Sequence, residues 1–223
     1  MKLLLTSSGI TNSSIANTLS ELTEKKPEET TVVFIPTASN IESGDKDWLI
    51  SDLINLKKQN FKSIEITDIS AVDEEIWKPS LEKADVLYFE GGNTYHLMRW
   101  LNTLGLTNAL PELLKDKVYV GVSAGSMITN PDLELKLSQV IYEENMSEIE
   151  VLKGLNFVDF YFLPHLNSKW FKKVRRKNIE KVGQEINKPI YALDDNSALK
   201  VVDTKIEVIS EGEWFVMNKK SDL

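Results

Sequence analysis

Short, strongly apolar runs alternate with amphipathic helical patterns along most of this chain, and that alternation constrains the fold more than any other feature. The runs are Lys2–Ser8 (KLLLTSS), Thr31–Ala38 (TVVFIPTA), Ser63–Ile69 (SIEITDI), Asp85–Gly92 (DVLYFEGG) and Lys117–Ser123 (KVYVGVS). Between them, Ser13–Lys25 sets Ile15, Leu19 and Leu22 on one side of a helix, Asp47–Gln59 is amphipathic, and another helix is expected over Thr94–Leu104. Such β-α-β alternation predicts the α/β class: a mainly parallel sheet with helices on both faces. The last third reads differently. Asp159–His165 (DFYFLPH) and Pro189–Asp195 (PIYALDD) are expected strands flanking a basic helix over Lys169–Lys177, with Trp170, Phe171 and Val174 on its apolar underside. Ala198–Met217 has closely spaced β segments, as in an antiparallel meander or hairpin at a sheet edge. No repeat, linker or domain boundary is evident, so residues 1–223 are read as one α/β domain.

Composition narrows the chemistry. The chain has no cysteine, which excludes disulfides, thiolate metal sites and a cysteine nucleophile. Its net charge of -8 argues against general nucleic-acid binding, which needs basic surface to neutralise phosphates. The amino-terminal apolar run is too short for a signal peptide or a membrane span. No membrane partner is expected, and the default compartment is the cytoplasm. A homodimer through an exposed helix or edge strand is compatible with the sequence, but no feature specifies it.

In open parallel sheets, ligands collect at the carboxyl ends of the strands. Three notable stretches fall at such ends: GGN, GVSAGS and PH. Gly121-Val122-Ser123-Ala124-Gly125 matches G-x-S-x-G, where small neighbours permit a sharp strand-to-helix turn with its serine projecting past the sheet. The Ala124 amide would then point toward a developing oxyanion. A serine nucleophile needs a base, and the chain has two histidines. His165 ends a predicted strand, whereas His96 falls on a helix and reads as a surface or packing residue. Gly91 and Gly92 let backbone amides approach a ligand, so Gly92 is a second oxyanion donor candidate. Asn93 is equally suited to capping the next helix and to binding substrate.

Together these stretches resemble the dipeptidase E (aspartyl dipeptidase) and cyanophycinase group of serine peptidases, from Ile35–Ser39 (IPTAS) through Ala192–Val201 (ALDDNSALKV). The resemblance implies a fold like that of class I glutamine amidotransferases (a flavodoxin-like three-layer sandwich). It also implies Ser123 as nucleophile, His165 as base, oxyanion amides at Gly92 and Ala124, a short-peptide substrate, and no metal or organic cofactor. It sets the triad acid between serine and histidine. That interval offers Asp132, Glu134, Glu143, Glu144, Glu148, Glu150 and Asp159. Glu144 is favoured, then Glu143, then Asp132; Asp194 and Asp195 are pocket candidates because they end a predicted strand. Aspartyl-specific relatives carry a basic residue shortly after the nucleophile turn. Here Asn130–Leu137 is acidic at the matching position, Glu134, with Lys136 nearby, so strict aspartate preference is not expected. An esterase or amidase on the same residues and an inactive small-molecule binding domain are the competing readings.

Overall fold

Ten strands and nine α-helices are found among the described residues of the computed structural model, which are 1–133, 135–142 and 153–219. The strands are β1 (Lys2–Thr6), β2 (Thr31–Ile35), β3 (Ser63–Ile66), β4 (Val86–Phe89), β5 (Val118–Val122), β6 (Tyr161–Leu163), β7 (Ile190–Leu193), β8 (Ser197–Val202), β9 (Lys205–Ser210) and β10 (Trp214–Met217). The helices are α1 (Ser13–Thr23), α2 (Thr37–Asn40), α3 (Asp47–Lys57), α4 (Glu74–Lys83), α5 (Thr94–Thr103), α6 (Leu106–Leu113), α7 (Ala124–Met127), α8 (Leu135–Ile141) and α9 (Arg176–Gly183).

Seven strands form the main sheet in the order β3-β2-β4-β5-β1-β8-β9. The first five are parallel, and β8 and β9 close the edge as an antiparallel pair, the hairpin expected from the sequence. Successive strand residues point to opposite faces. Leu3, Leu5, Val33, Ile35, Leu87 and Phe89 therefore pack on one side with Trp77 and Leu81 of α4, Leu97 and Leu101 of α5 and Leu110 of α6. Leu4, Val32, Phe34, Val86 and Tyr88 pack on the other with Ile15, Leu19 and Leu22 of α1 and Leu56 of α3. Burying each large aliphatic side chain contributes about 1.5–3 kcal/mol, so both faces supply folding free energy. The mainly parallel α/β sheet is thus as expected from the alternation.

Three features depart from the sequence reading. Strands β6 and β7 do not extend the main sheet. With β10 they form a second sheet, order β10-β7-β6, in which β6 and β7 are parallel. Phe162 and Leu193 of this sheet enter the same core as Leu5 and Leu199 of the main one. Helices α4 and α6 were missing from the periodic pattern because each carries an interior proline, Pro79 and Pro111, which removes a backbone donor. The basic stretch is helical only from Arg176. Before it, the Arg175 guanidinium donates to the carbonyls of Ser168, Phe171 and Val174, which stabilises a loop in place of a helical turn.

Candidate active site

Strands β4 and β5 are parallel neighbours, with Phe89 opposite Gly121, so the two glycine turns that follow them lie side by side. Ser123 turns the chain from β5 into α7 at φ 46 and ψ -107, a conformation L-residues rarely adopt. The surroundings hold it there. The Ser123 amide donates to Thr6 O at 2.9 Å, and Ser126 Oγ both accepts from Thr6 N and donates to Thr6 O. Gly125 is required by close approach: a Cβ there would sit 2.1 Å from the Phe89 carbonyl oxygen. Gly92 has φ 126, and a Cβ would meet Ala38 O at 2.3 Å. Gly91 lies directly against the serine, a Cβ on it being 3.2 Å from Ser123 Cβ.

His165 and Asp195 arrive from the second sheet. Leu163 pairs with Ala192 in the parallel β6–β7 ladder, and each functional side chain lies just past the end of its strand. Register thus brings the two residues together. Asp195 Oδ1 lies 2.6 Å from His165 Nδ1, and Ser123 Oγ lies 2.9 Å from His165 Nε2. Burial pushes the Asp195 carboxyl up, but the hydrogen bond and charge of His165 and a hydrogen bond from Ser8 outweigh it, and the net shift is downward. An ionised carboxylate only accepts, so Nδ1 carries the proton and the Nε2 lone pair faces the serine hydroxyl. Ser7 joins the sheets behind the imidazole: its Oγ accepts from His165 N and donates to Leu193 O. Thr11 Oγ1 donates to the Asp195 carbonyl at 2.9 Å.

The Gly92 and Ala124 amides, one in each of the two glycine turns, donate to no backbone carbonyl among the described residues. For Ala124 this follows from its place in the first turn of α7. Asn93 caps α5, its Oδ1 accepting from His96 N at 2.9 Å. His96 is on α5, half-buried and edge-on to Trp100, with its basicity lowered by desolvation.

The carboxylate found at His165 Nδ1 is Asp195. Glu134, Glu143, Glu144, Glu148 and Glu150 lie outside the described residues, and the place at Nδ1 expected for Glu144 is occupied by Asp195. The carboxylate at His165 Nδ1 therefore follows the histidine in the chain instead of preceding it. Asp132 accepts from Tyr161 Oη, and Asp159 pairs with Lys188. Asp194 is committed to a turn, accepting from Asn196 N, Ser197 Oγ and Glu213 N. The usable signal was the similarity of FLPH and ALDD, two apolar runs each ending in a polar group suited to one strand edge.

Sequence reasoning also missed a carboxyl pair beneath the glycine turn. Glu90 is fully buried at the end of β4, and its Oε1 accepts from Gly91 N at 2.9 Å. Asp52 of α3 is buried beside it and accepts from Tyr88 Oη. Burial first, and then the charge of Asp52, push Glu90 well above the ordinary carboxylate range. Burial likewise raises Asp52. The pair therefore retains a proton under conditions where exposed acids are ionised. Among the described residues, no group of three or more His, Asp or Glu is arranged to hold a metal ion.

A serine at a strained strand-to-helix turn with a histidine at its hydroxyl defines a serine-type hydrolase of the α/β class. The chain belongs to peptidase family S51, whose model matches residues 3–209, and is a serine-type peptidase. It is 29% identical over 180 residues to an uncharacterized peptidase of Pasteurella multocida (strain Pm70), covering 78% of this chain and 83% of that one. It is 27% identical over 122 residues to a Peptidase E of Streptomyces coelicolor (strain ATCC BAA-471 / A3(2) / M145), covering 54% and 50%. A crystal structure of a candidate Peptidase E from Listeria monocytogenes EGD-e matches with a TM-score of 0.77 at 26% identity, covering 95% of this chain and 98% of that one.

Proposed function

We propose that this peptidase hydrolyses short peptides in the manner of a dipeptidase, through a Ser123–His165–Asp195 triad and an acyl-enzyme. The observation that carries the reading is the unbroken hydrogen-bond chain from Asp195 through His165 to Ser123. Ser123 Oγ attacks the scissile carbonyl as His165 Nε2 takes its proton, and Asp195 stabilises the imidazolium. The Gly92 and Ala124 amides donate to the tetrahedral oxyanion. His165 then protonates the leaving amine, and water, deprotonated by the same nitrogen, releases the acid. The short-peptide preference rests on the resemblance carried by GGN, GVSAGS and PH. The parallel order β3-β2-β4-β5-β1 supports a scaffold like that of class I glutamine amidotransferases.

Intact-mass measurement after treatment with a fluorophosphonate tests the chemistry. One adduct on wild type, absent in Ser123→Ala and slowed in His165→Ala, is expected. A folded wild type that acquires none overturns the nucleophile. Cleavage of a peptide series from two to eight residues tests the substrate class, and undiminished turnover of the longest overturns the short-peptide preference.

A further inference from the structure

His165 is held in its ring plane by Asp195 and Ser123, which leaves the two faces of the imidazole to other groups. One face is covered. The Phe171 ring lies parallel to it, with centroids 4.5 Å apart and planes inclined by 12°. Phe171 is not a core residue: it is 37% exposed, in the loop between β6 and α9. Its position is nonetheless built. The Arg175 guanidinium donates to the Phe171 carbonyl and to those of Ser168 and Val174. Asn167 N donates to Val174 O, which closes the loop on itself. Tyr142 also packs against the Phe171 ring in a T-shaped arrangement at 5.9 Å, and its hydroxyl donates to the carbonyl of Pro164, the residue before the histidine.

We propose that Phe171 is a positioning residue for His165: its ring face keeps the imidazole in the plane that joins Ser123 to Asp195 and stabilises the imidazolium formed when the serine proton is transferred. An apolar side chain of similar bulk would exclude water from that face. Only an aromatic ring also presents the negative π face that attracts a cation stacked on it. The inference rests on the proposed role of His165 as base. Phe171 acts through His165, so its removal slows every acylation regardless of the acyl group.

The test is the second-order rate of inactivation by two fluorophosphonates, one with small alkyl groups and one with a long chain, on wild type, His165→Ala, Phe171→Leu and Phe171→Tyr. Thermal midpoints are read in parallel. Phe171→Leu is expected to slow both probes about tenfold at an unchanged midpoint, and Phe171→Tyr, which keeps the ring, to stay within about twofold of wild type. Phe171→Met carries the same expectation and replaces the leucine variant if that one fails to fold. A wild-type rate in the leucine or methionine variant overturns the proposal. So does slowing confined to the long-chain probe, which would make Phe171 a substrate contact, or a tyrosine variant as slow as leucine. An unlabelled wild type, or His165→Ala reacting at the wild-type rate, overturns the catalytic reading and this proposal together. An inert His165→Ala beside an unimpaired Phe171→Leu overturns the proposal alone.

Discussion

Asp195 Oδ1 lies 2.6 Å from His165 Nδ1 because β6 and β7 are adjacent and parallel, and each strand delivers its side chain at the same end. The relationship predicts the consequence of Asp195→Asn. The amide keeps the size of the side chain but is uncharged. It also no longer dictates that Nδ1 carries the proton. The kcat/KM should fall by about 10²–10⁴. Equal activity in the asparagine variant would show that another group supplies the charge.

The same carboxyl sets an acid limb. Its folded-state pKa is lowered, so Asp195 contributes stability above the ordinary aspartate range that is lost as pH falls through the lowered value. In acid, Asp195→Asn should therefore lose less stability than wild type. Thermal midpoints of both proteins measured from pH 7 down to pH 3 check this, and parallel curves would contradict it.

Ser123 is a residue whose side chain and backbone make opposite demands. At φ 46 and ψ -107 a Cβ is strained, and strain of this kind costs about 1–3 kcal/mol. Ser123→Ala and Ser123→Gly should both be inactive toward peptides. Glycine accepts the conformation, so its variant should melt a few degrees above the alanine variant, about 2–4 °C per kcal/mol for a chain of this length. Differential scanning calorimetry decides it; a glycine variant that melts below the alanine one would mean that the turn is not strained.

The sequence made the parallel strands legible because each is a short apolar run, and it singled out Ser123, His165 and the glycine turns because G-x-S-x-G, GGN and one of the two histidines fall at strand ends. Asp195 was not legible as the partner of His165. Carboxylates are common in this chain, and nothing local separates Asp195 from Asp194. Their difference is made by β-pairing and by the turn at Asn196 to Ser197, which occupies Asp194. The buried pair of Asp52 and Glu90 was hidden for a similar reason: the two meet only when α3 packs on the sheet beneath β4. Phe171 was read as the underside of a helix because its spacing to Val174 fits one. Arg175, by bonding three carbonyls of that segment, stabilises the loop that places the ring on the histidine instead.

Gly92 supplies both a conformation and an amide, and the two can be separated. A Cβ at φ 126 would collide with Ala38 O, so Gly92→Ala must displace the turn that carries the proposed oxyanion donor. Peptidase kcat should drop by about 10²–10³, the usual effect of losing one oxyanion donor, while KM changes less. Steady-state kinetics on any cleaved peptide checks the split. A rise in KM at constant kcat would assign Gly92 to ground-state binding.

The Asp52–Glu90 pair predicts a stability profile of opposite sign to that of Asp195. Both folded-state pKa values are raised, so the folded protein holds protons that the unfolded chain releases near the ordinary values of 3.8 and 4.5. Stability from this pair is full below those values and is lost as pH rises through the raised ones. Glu90→Gln removes one titration while its amide oxygen can still accept from Gly91 N, the bond that Glu90 Oε1 accepts at 2.9 Å. The variant should therefore lose less stability than wild type as pH rises above the ordinary carboxylate range. Glu90→Leu, which accepts no hydrogen bond, should be destabilised at every pH by about 1–3 kcal/mol through the orphaned Gly91 amide. Urea unfolding of the three proteins over that rise in pH gives the comparison. Equal slopes for wild type and Glu90→Gln would mean that Glu90 is ionised in the folded state, with a full charge two residues from the proposed oxyanion donor Gly92.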